Sequence, residues 1–240
     1  MIRFLRQALP WLAMALLLAL AWWAYHPGLS GGFLFDDFNN LDALGTTGPV
    51  DNWATFWRYL TSGSADPVGR PLSLLSFLLD ARNWPADPAP FLRTNLLLHL
   101  ANGSLLFVLL RALGAVLALP PRRNAAAALV GAGLWLLHPL FVSTTLYVVQ
   151  REAMLPATFT LLGLIAFVHG RRRLALGAGA NAWALVVLGI VVGTLLATLS
   201  KANGFLLPLL AWVIEATVFR AGHAYEKAMT WRATRPPLAA

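Results

Sequence analysis

The 240-residue chain has no cysteine. Disulfides, thiolate-metal sites and cysteine nucleophiles are therefore excluded. Charge is sparse as well: charged residues make up 12%, against about 25% in a typical soluble domain. Acidic side chains are the scarcer sign, 10 against 18 Lys and Arg, for a net charge of +8. Several motifs are missing. There is no glycine-rich phosphate loop, no Ser-His-Asp order and no nucleic-acid-binding motif. No second histidine stands at HxxxH spacing from His138, which argues against zinc. What fills the chain is apolar: hydrophobic residues reach 58% and the mean hydropathy is +0.66. That excludes a disordered or fibrous protein and sets a soluble globular enzyme aside. With so little polar surface, the positive balance reads as a topology signal and not as a nucleic-acid footprint.

A membrane-crossing helix needs about 20 mostly apolar residues. Six such runs are predicted: Ala8–Tyr25, Thr94–Leu113, Ala125–Tyr147, Ala153–Val168, Ala182–Leu199 and Phe205–Phe219. The first follows Arg3 and Arg6, as a signal peptide would. Trp22, Trp23 and Tyr25 stand where a small-residue cleavage site would fall, so an uncleaved anchor is expected. The third run contains His138-Pro139, and proline there should end or kink the helix. Arg3/Arg6, Arg122/Arg123, Arg171–Arg173 and the tail with Arg220, Lys227, Arg232 and Arg235 all fall on one side. Basic residues favour the cytoplasmic side. The expectation is an all-α, polytopic bundle in the cytoplasmic (inner) membrane with both termini cytoplasmic. Residues 1–220 form one membrane domain, and 221–240 a basic cytoplasmic tail.

The loop 26–93 is then extracytoplasmic, and it holds seven of the ten acidic residues. Within it, Trp53–Leu60 and Pro71–Ala81 carry apolar residues at helical spacing. They read either as short helices on the membrane surface or as pieces packed on the bundle. Gly189 and Gly193 form a small-xxx-small pair that lets helices approach closely.

Four polar features ask for a reason. In GGFLFDDFNN, Asp36 and Asp37 follow a glycine turn and an apolar stretch. Two adjacent carboxylates resist joint ionisation, so one can stay a base while the other is oriented by a neighbour or a metal. They equally read as a solvated turn capping a helix over Asn39–Leu44. An Asp pair could hold a hard divalent ion, but nothing else in the chain completes that site, so no cofactor is expected. Asn95, His99 and Asn102 share one helix face and serve as interhelical hydrogen bonds or as cavity lining. Arg151 and Lys201 sit at external helix ends against the bulk charge rule, with Arg70 on the same face. Such cations bind a lipid phosphate. For Arg151 the alternative is neutralisation by the adjacent Glu152, and for Lys201 snorkelling to the interface. His138 caps a helix end or titrates near neutral pH.

In order, these residues form FDD beyond a first span, GRPLS before a surface helix, a span opening NLLLH, a span ending LHP before VVQREAML, and SKANG. From about Phe33 to Pro208 this order resembles the membrane part of C-type glycosyltransferases. The likeness is nearest to the transmembrane tetratricopeptide-repeat O-mannosyltransferase family and its bacterial relatives. The resemblance implies a polyprenyl-phosphate sugar donor and an extracytoplasmic protein or glycan acceptor. It also implies an acidic base in the first external loop, Asp37 first with Asp36 as its partner, and inversion at the anomeric carbon. Arg70, Arg151, Lys201, His99 and His138 become substrate contacts. Ala202 departs from the pattern, because relatives commonly carry an acid there. Relatives are also longer, so the chain reads as a truncated or minimal core. The competing expectation is a non-catalytic membrane subunit that binds or moves the lipid carrier and needs no base. A secondary transporter is weaker, lacking paired interrupted spans.

Overall fold

The computed structural model describes residues 2–46 and 48–222. Most of the tail anticipated over 221–240, including Lys227, Arg232 and Arg235, lies outside the described residues. The described residues are helical, with no strand. Helix α1 is Ile2–Tyr25, α2 Asp36–Leu41, α3 Trp53–Leu60, α4 Pro71–Phe77 and α5 Pro88–Val116. Then come α6 Pro121–Leu136, α7 Phe141–Thr145, α8 Arg151–Ala175, α9 Ala180–Ser200 and α10 Leu207–Ile214. The last of these continues through a π-turn, Glu215–Phe219.

Five segments are long and apolar enough to cross a membrane: Ala8–Ser30, Pro88–Val116, Val148–Ala175, Ala180–Ser200 and Ala202–Gly222. This makes the chain a helical integral membrane protein. The third expected span, Ala125–Tyr147, is divided. Helix α6 has 16 residues, about 24 Å at 1.5 Å each, short of the ~30 Å hydrocarbon core. It ends before His138-Pro139, as the proline predicts: Pro139 lacks an N–H and disfavours helix at the residue before it. The chain resumes in the five-residue α7.

The helices run back and forth between two ends. At one end the Tyr25 and His99 rings lie 5.1 Å apart, and Ser73 Oγ donates to the Ser200 carbonyl at 2.8 Å. At the other, Asn124 donates to the Arg111 carbonyl at 3.0 Å and Arg171 pairs with Glu215. The loop 26–87, the stretch 138–152 and residues 200–206 thus gather at one end. Arg122, Arg123 and Arg171–Arg173 belong to the other.

Helix α9 presses on α8 through glycines. A Cβ on Gly163 would stand 2.6 Å from the Gly189 carbonyl oxygen, and one on Gly189 would stand 2.8 Å from that of Gly163. The Gly189/Gly193 pair is therefore used inside the bundle.

The large loop folds into a cap with its own core. Leu41, Leu44, Tyr59, Leu74 and Phe77 bury against Phe91 and Leu92 of α5 and against Val148. Fully burying one such side chain contributes about 1.5–3 kcal/mol. Helix α3 spans the predicted residues, started by Asn52, whose Oδ1 accepts from the Ala54 and Thr55 N–H groups at 3.0 Å each. Helix α4 stops at Phe77, short of the expected Ala81. The chain there turns so that Asp80 reaches Arg151 and Thr94.

Candidate functional site

The cap end is organised by a polar spine on α5. Asn95, His99 and Asn102 are all buried on one face. Asn95 Nδ2 donates to the carbonyls of Tyr147 and Val148 at 3.1 and 3.2 Å. His99 Nε2 meets the Leu136 carbonyl at 3.0 Å, and its ring stacks on Trp135 at 4.6 Å. A carbonyl only accepts, so this nitrogen carries the proton. Asn102 donates to the Met154 carbonyl and accepts from Thr158. The stripe is interhelical hydrogen bonding, so the cavity-lining alternative does not describe it. His99, expected as a substrate contact, is 1% exposed and joins α5 to the end of α6.

Arg151 departs furthest from its expected place. It is fully buried. Its Nε donates to Asn95 Oδ1 at 2.7 Å, and its Nη1 and Nη2 donate to the Ser76 and Phe91 carbonyls at 2.9 Å each. Its Nη2 also pairs with the Asp80 carboxylate at 2.6 Å, and the guanidinium lies over the Phe77 ring. It has no surface to offer a phosphate. Nor does Glu152 neutralise it: Glu152 pairs with Arg70. Successive residues on a helix point in different directions, so sequence neighbours find different partners. Arg151 is a fastener between the cap, α5 and α8.

That fastening places a hook, Tyr147–Val149, under the acidic turn. Val149 N–H donates to Asp37 Oδ1 at 2.7 Å, and Leu34 N–H donates to Asp37 Oδ2 at 2.9 Å. Both oxygens are thus engaged, and Asp37 has no exposed surface. Burial lifts its carboxyl above the ordinary range, while the two N–H donors pull against that shift. Asp36 differs in every respect. It is exposed, and its own N–H donates to the Tyr147 hydroxyl at 2.9 Å. The turn is held under tension: Phe35 has φ +26°, a left-handed value that costs a non-glycine residue of order 1–3 kcal/mol. The pair stands inside the first turn of α2, which begins at Asp36, three residues before the helix Asn39–Leu44 it was expected to cap.

A second polar cluster forms where α4 begins and α9 ends. Arg70 occupies the left-handed region at φ +53°, ψ +43°. Its Nε donates to Asp66 at 2.8 Å, and its Nη1 to Glu152. Partial burial alone would raise the Asp66 pKa, but the Arg70 hydrogen bond, with N–H groups of Val68 and Ala202, brings it below its ordinary value. Lys201 is close enough to act on the Glu152 charge, and its ammonium makes no hydrogen bond or ion pair among the described residues. Asp66 and Glu152 thus balance Arg70 and Lys201. His138 stands apart, exposed, with Nδ1 accepting the Leu140 N–H at 3.2 Å. This caps the turn after α6, one of its two expected roles. No group of three or more His, Asp or Glu among the described residues is arranged to hold a metal ion.

The structure therefore brings Arg70 and Lys201 together, leaves Asp36 open, and turns Asp37, Arg151 and His99 inward. Sequence reasoning missed Tyr147, Asp66 and Asp80. The 111-residue separation of Tyr147 from Asp36 leaves no local signal to find it. The chain matches no family model, no curated protein and no solved structure. The functional reading therefore rests on the geometry and on the motif order.

Proposed function

We propose that this protein is the membrane core of a glycosyltransferase. It moves a sugar from a polyprenyl-phosphate carrier to a protein or glycan hydroxyl on the extracytoplasmic face. The cap end faces that side, and the end bearing Arg122, Arg123 and Arg171–Arg173 faces the cytoplasm, in line with the preference of basic residues.

The observation that carries the reading is the division of labour in the acidic turn. Asp37 is consumed as an anchor, and its neighbour is held open on a strained turn. We assign Asp36 as the base and Asp37 as its positioning residue, which inverts the order expected from the sequence. The Asp36 carboxylate takes the acceptor hydroxyl proton. The acceptor oxygen then forms a bond to the anomeric carbon as the bond from that carbon to the phosphate oxygen breaks. The electron pair leaves with the polyprenyl phosphate. Lys201 is at the same end of the bundle, and its ammonium makes no ion pair among the described residues, so it is the cation assigned to the departing phosphate. Arg70 is already paired with Asp66 and Glu152.

A positioned base contributes about 10²–10⁴-fold. In lipid vesicles with labelled polyprenyl-phosphate sugars, Asp36→Asn should lower kcat by roughly that factor and leave donor affinity unchanged. Undiminished turnover in Asp36→Asn would remove the assignment. Donor binding without turnover in the native chain would instead favour a non-catalytic carrier-binding subunit.

A further inference from the structure

A groove of about 770 Å³ runs along the outside of the cap between α3, α4 and α8, within the range of about 300–1,000 Å³ where small-molecule sites fall. Its lining divides by depth. Leu155 and Phe159 belong to a membrane-crossing helix. At 1.5 Å per residue, Phe159 lies about 12 Å past Arg151, the first residue of α8, so this wall descends into hydrocarbon. Leu72, Leu75 and Leu79, from α4 and the turn after it, complete the apolar part. The charged and amide-bearing residues, Asp51, Asn52 and Arg82, and the hydroxyl of Ser76 come instead from the cap.

Two of those four are already satisfied. Ser76 Oγ donates to the Ser73 carbonyl at 2.7 Å. Asn52 Oδ1 accepts from Ala54 and Thr55 N–H, and its Nδ2 donates to Asp51 Oδ1 at 2.9 Å. The other two are not. Among the described residues, neither Asp51 Oδ2 nor the Arg82 guanidinium has a hydrogen bond or an ion pair. The backbone nevertheless ties them together, because Val50 N–H donates to the Arg82 carbonyl at 2.7 Å. An anion and a cation thus line one groove, both exposed and not closed on each other.

That arrangement complements a ligand carrying both signs. A simple anion would be drawn to Arg82 and repelled by Asp51. With an apolar trough running from the charges into hydrocarbon, the matching amphiphile is a zwitterionic phospholipid. A primary ammonium gives a carboxylate a charge-assisted hydrogen bond. A choline head has no N–H to give, and a glycerol head brings the phosphate charge with no cation for Asp51. Trp53, 71% exposed and part of the same lining, suits the boundary between headgroups and hydrocarbon.

We propose that this groove is a binding site for phosphatidylethanolamine. Its phosphate meets Arg82, its ammonium meets Asp51, and one acyl chain lies along Leu75, Leu79, Leu155 and Phe159. Neither Asp36 nor Lys201 lines the groove, and the inference stands independently of the transferase reading.

The test is photolabelling of the full chain in phosphatidylcholine vesicles. Three probes share one photoreactive acyl chain and differ only in the head: ethanolamine, choline or glycerol. In the native chain the ethanolamine probe should label residues 72–79 and 155–159 about tenfold more than either of the others. Arg82→Gln should bring ethanolamine labelling down to the choline level. Asp51→Asn should do the same and, by removing the repelling charge, raise labelling by the glycerol probe. A misfolded chain would not show that gain. Arg58→Gln, which removes an exposed cation of the cap outside the groove, should change neither. Equal labelling by all three heads, labels spread evenly around the bundle, or displacement of the ethanolamine probe by trace polyprenyl phosphate would overturn the proposal.

Discussion

At the scale of single residues, the acidic pair separates anchoring from chemistry, and the two roles have different signatures. In Asp37→Asn an amide –NH2 must face either the Leu34 or the Val149 N–H, leaving a buried donor unpaired. That should cost about 1–3 kcal/mol, measurable as a lower thermal midpoint. Asp36→Asn, at an exposed position, should leave the midpoint unchanged. Tyr147→Phe removes the acceptor of the Asp36 N–H. We expect kcat to fall severalfold with KM unchanged, read in the same turnover assay. Asp66 gives a pH prediction. Its pKa is lowered in the folded chain, so its stabilising share is complete above the unfolded value of about 4 and is lost as pH falls below it. The stability difference between the native chain and Asp66→Asn should therefore narrow as pH falls below about 4. Part of this was legible in the sequence. The one-sided stripe of Asn95, His99 and Asn102 followed from spacing alone. The pairing of Arg151 with Asp80 did not, because the adjacent Glu152 was the obvious partner and only three dimensions show it pointing elsewhere.

At the scale of elements, hydropathy located the long helices and proline located the break, since both signals are local. The length of α6 was not legible, because apolar residues continue past His138-Pro139 into α7 and blur one segment into another. Nor was the end of α4. Its apolar pattern runs to Ala81, but the Asp80–Arg151 pair pulls the chain into a turn. The α8–α9 contact makes a sharp prediction. Gly189→Leu pushes a side chain into the Gly163 carbonyl and the Ala166 methyl. Overpacking of that kind costs typically 1–3 kcal/mol, so the variant should unfold at lower temperature in detergent. If Gly189 served contact between copies instead, its replacement would change oligomeric state and leave the monomer's stability intact.

At the scale of the whole molecule, the two ends differ in charge and in content, and the placement of arginines between the apolar runs makes that difference legible in the sequence. The absence of cysteine makes the orientation testable without removing a native residue. Single cysteines introduced at Ser64 in the cap and at Ala178 between α8 and α9 occupy exposed positions at opposite ends. In intact cells a membrane-impermeant maleimide should label the first and spare the second. The reverse pattern would place the cap in the cytoplasm and end the extracytoplasmic reading of the site.

Arg151 sets an order on biosynthesis. Its partners Ser76, Asp80, Phe91 and Asn95 are all made before it, and Val149 reaches back 112 residues to Asp37. As the ribosome feeds the chain into the membrane, the cap emerges early and waits, with one oxygen of Asp37 and one of Asp80 still without its partner, until Val149 and Arg151 arrive. Assembly of the acidic turn is therefore a late event in translation, and a nascent chain stalled before residue 149 carries both aspartates without the scaffold that distinguishes them.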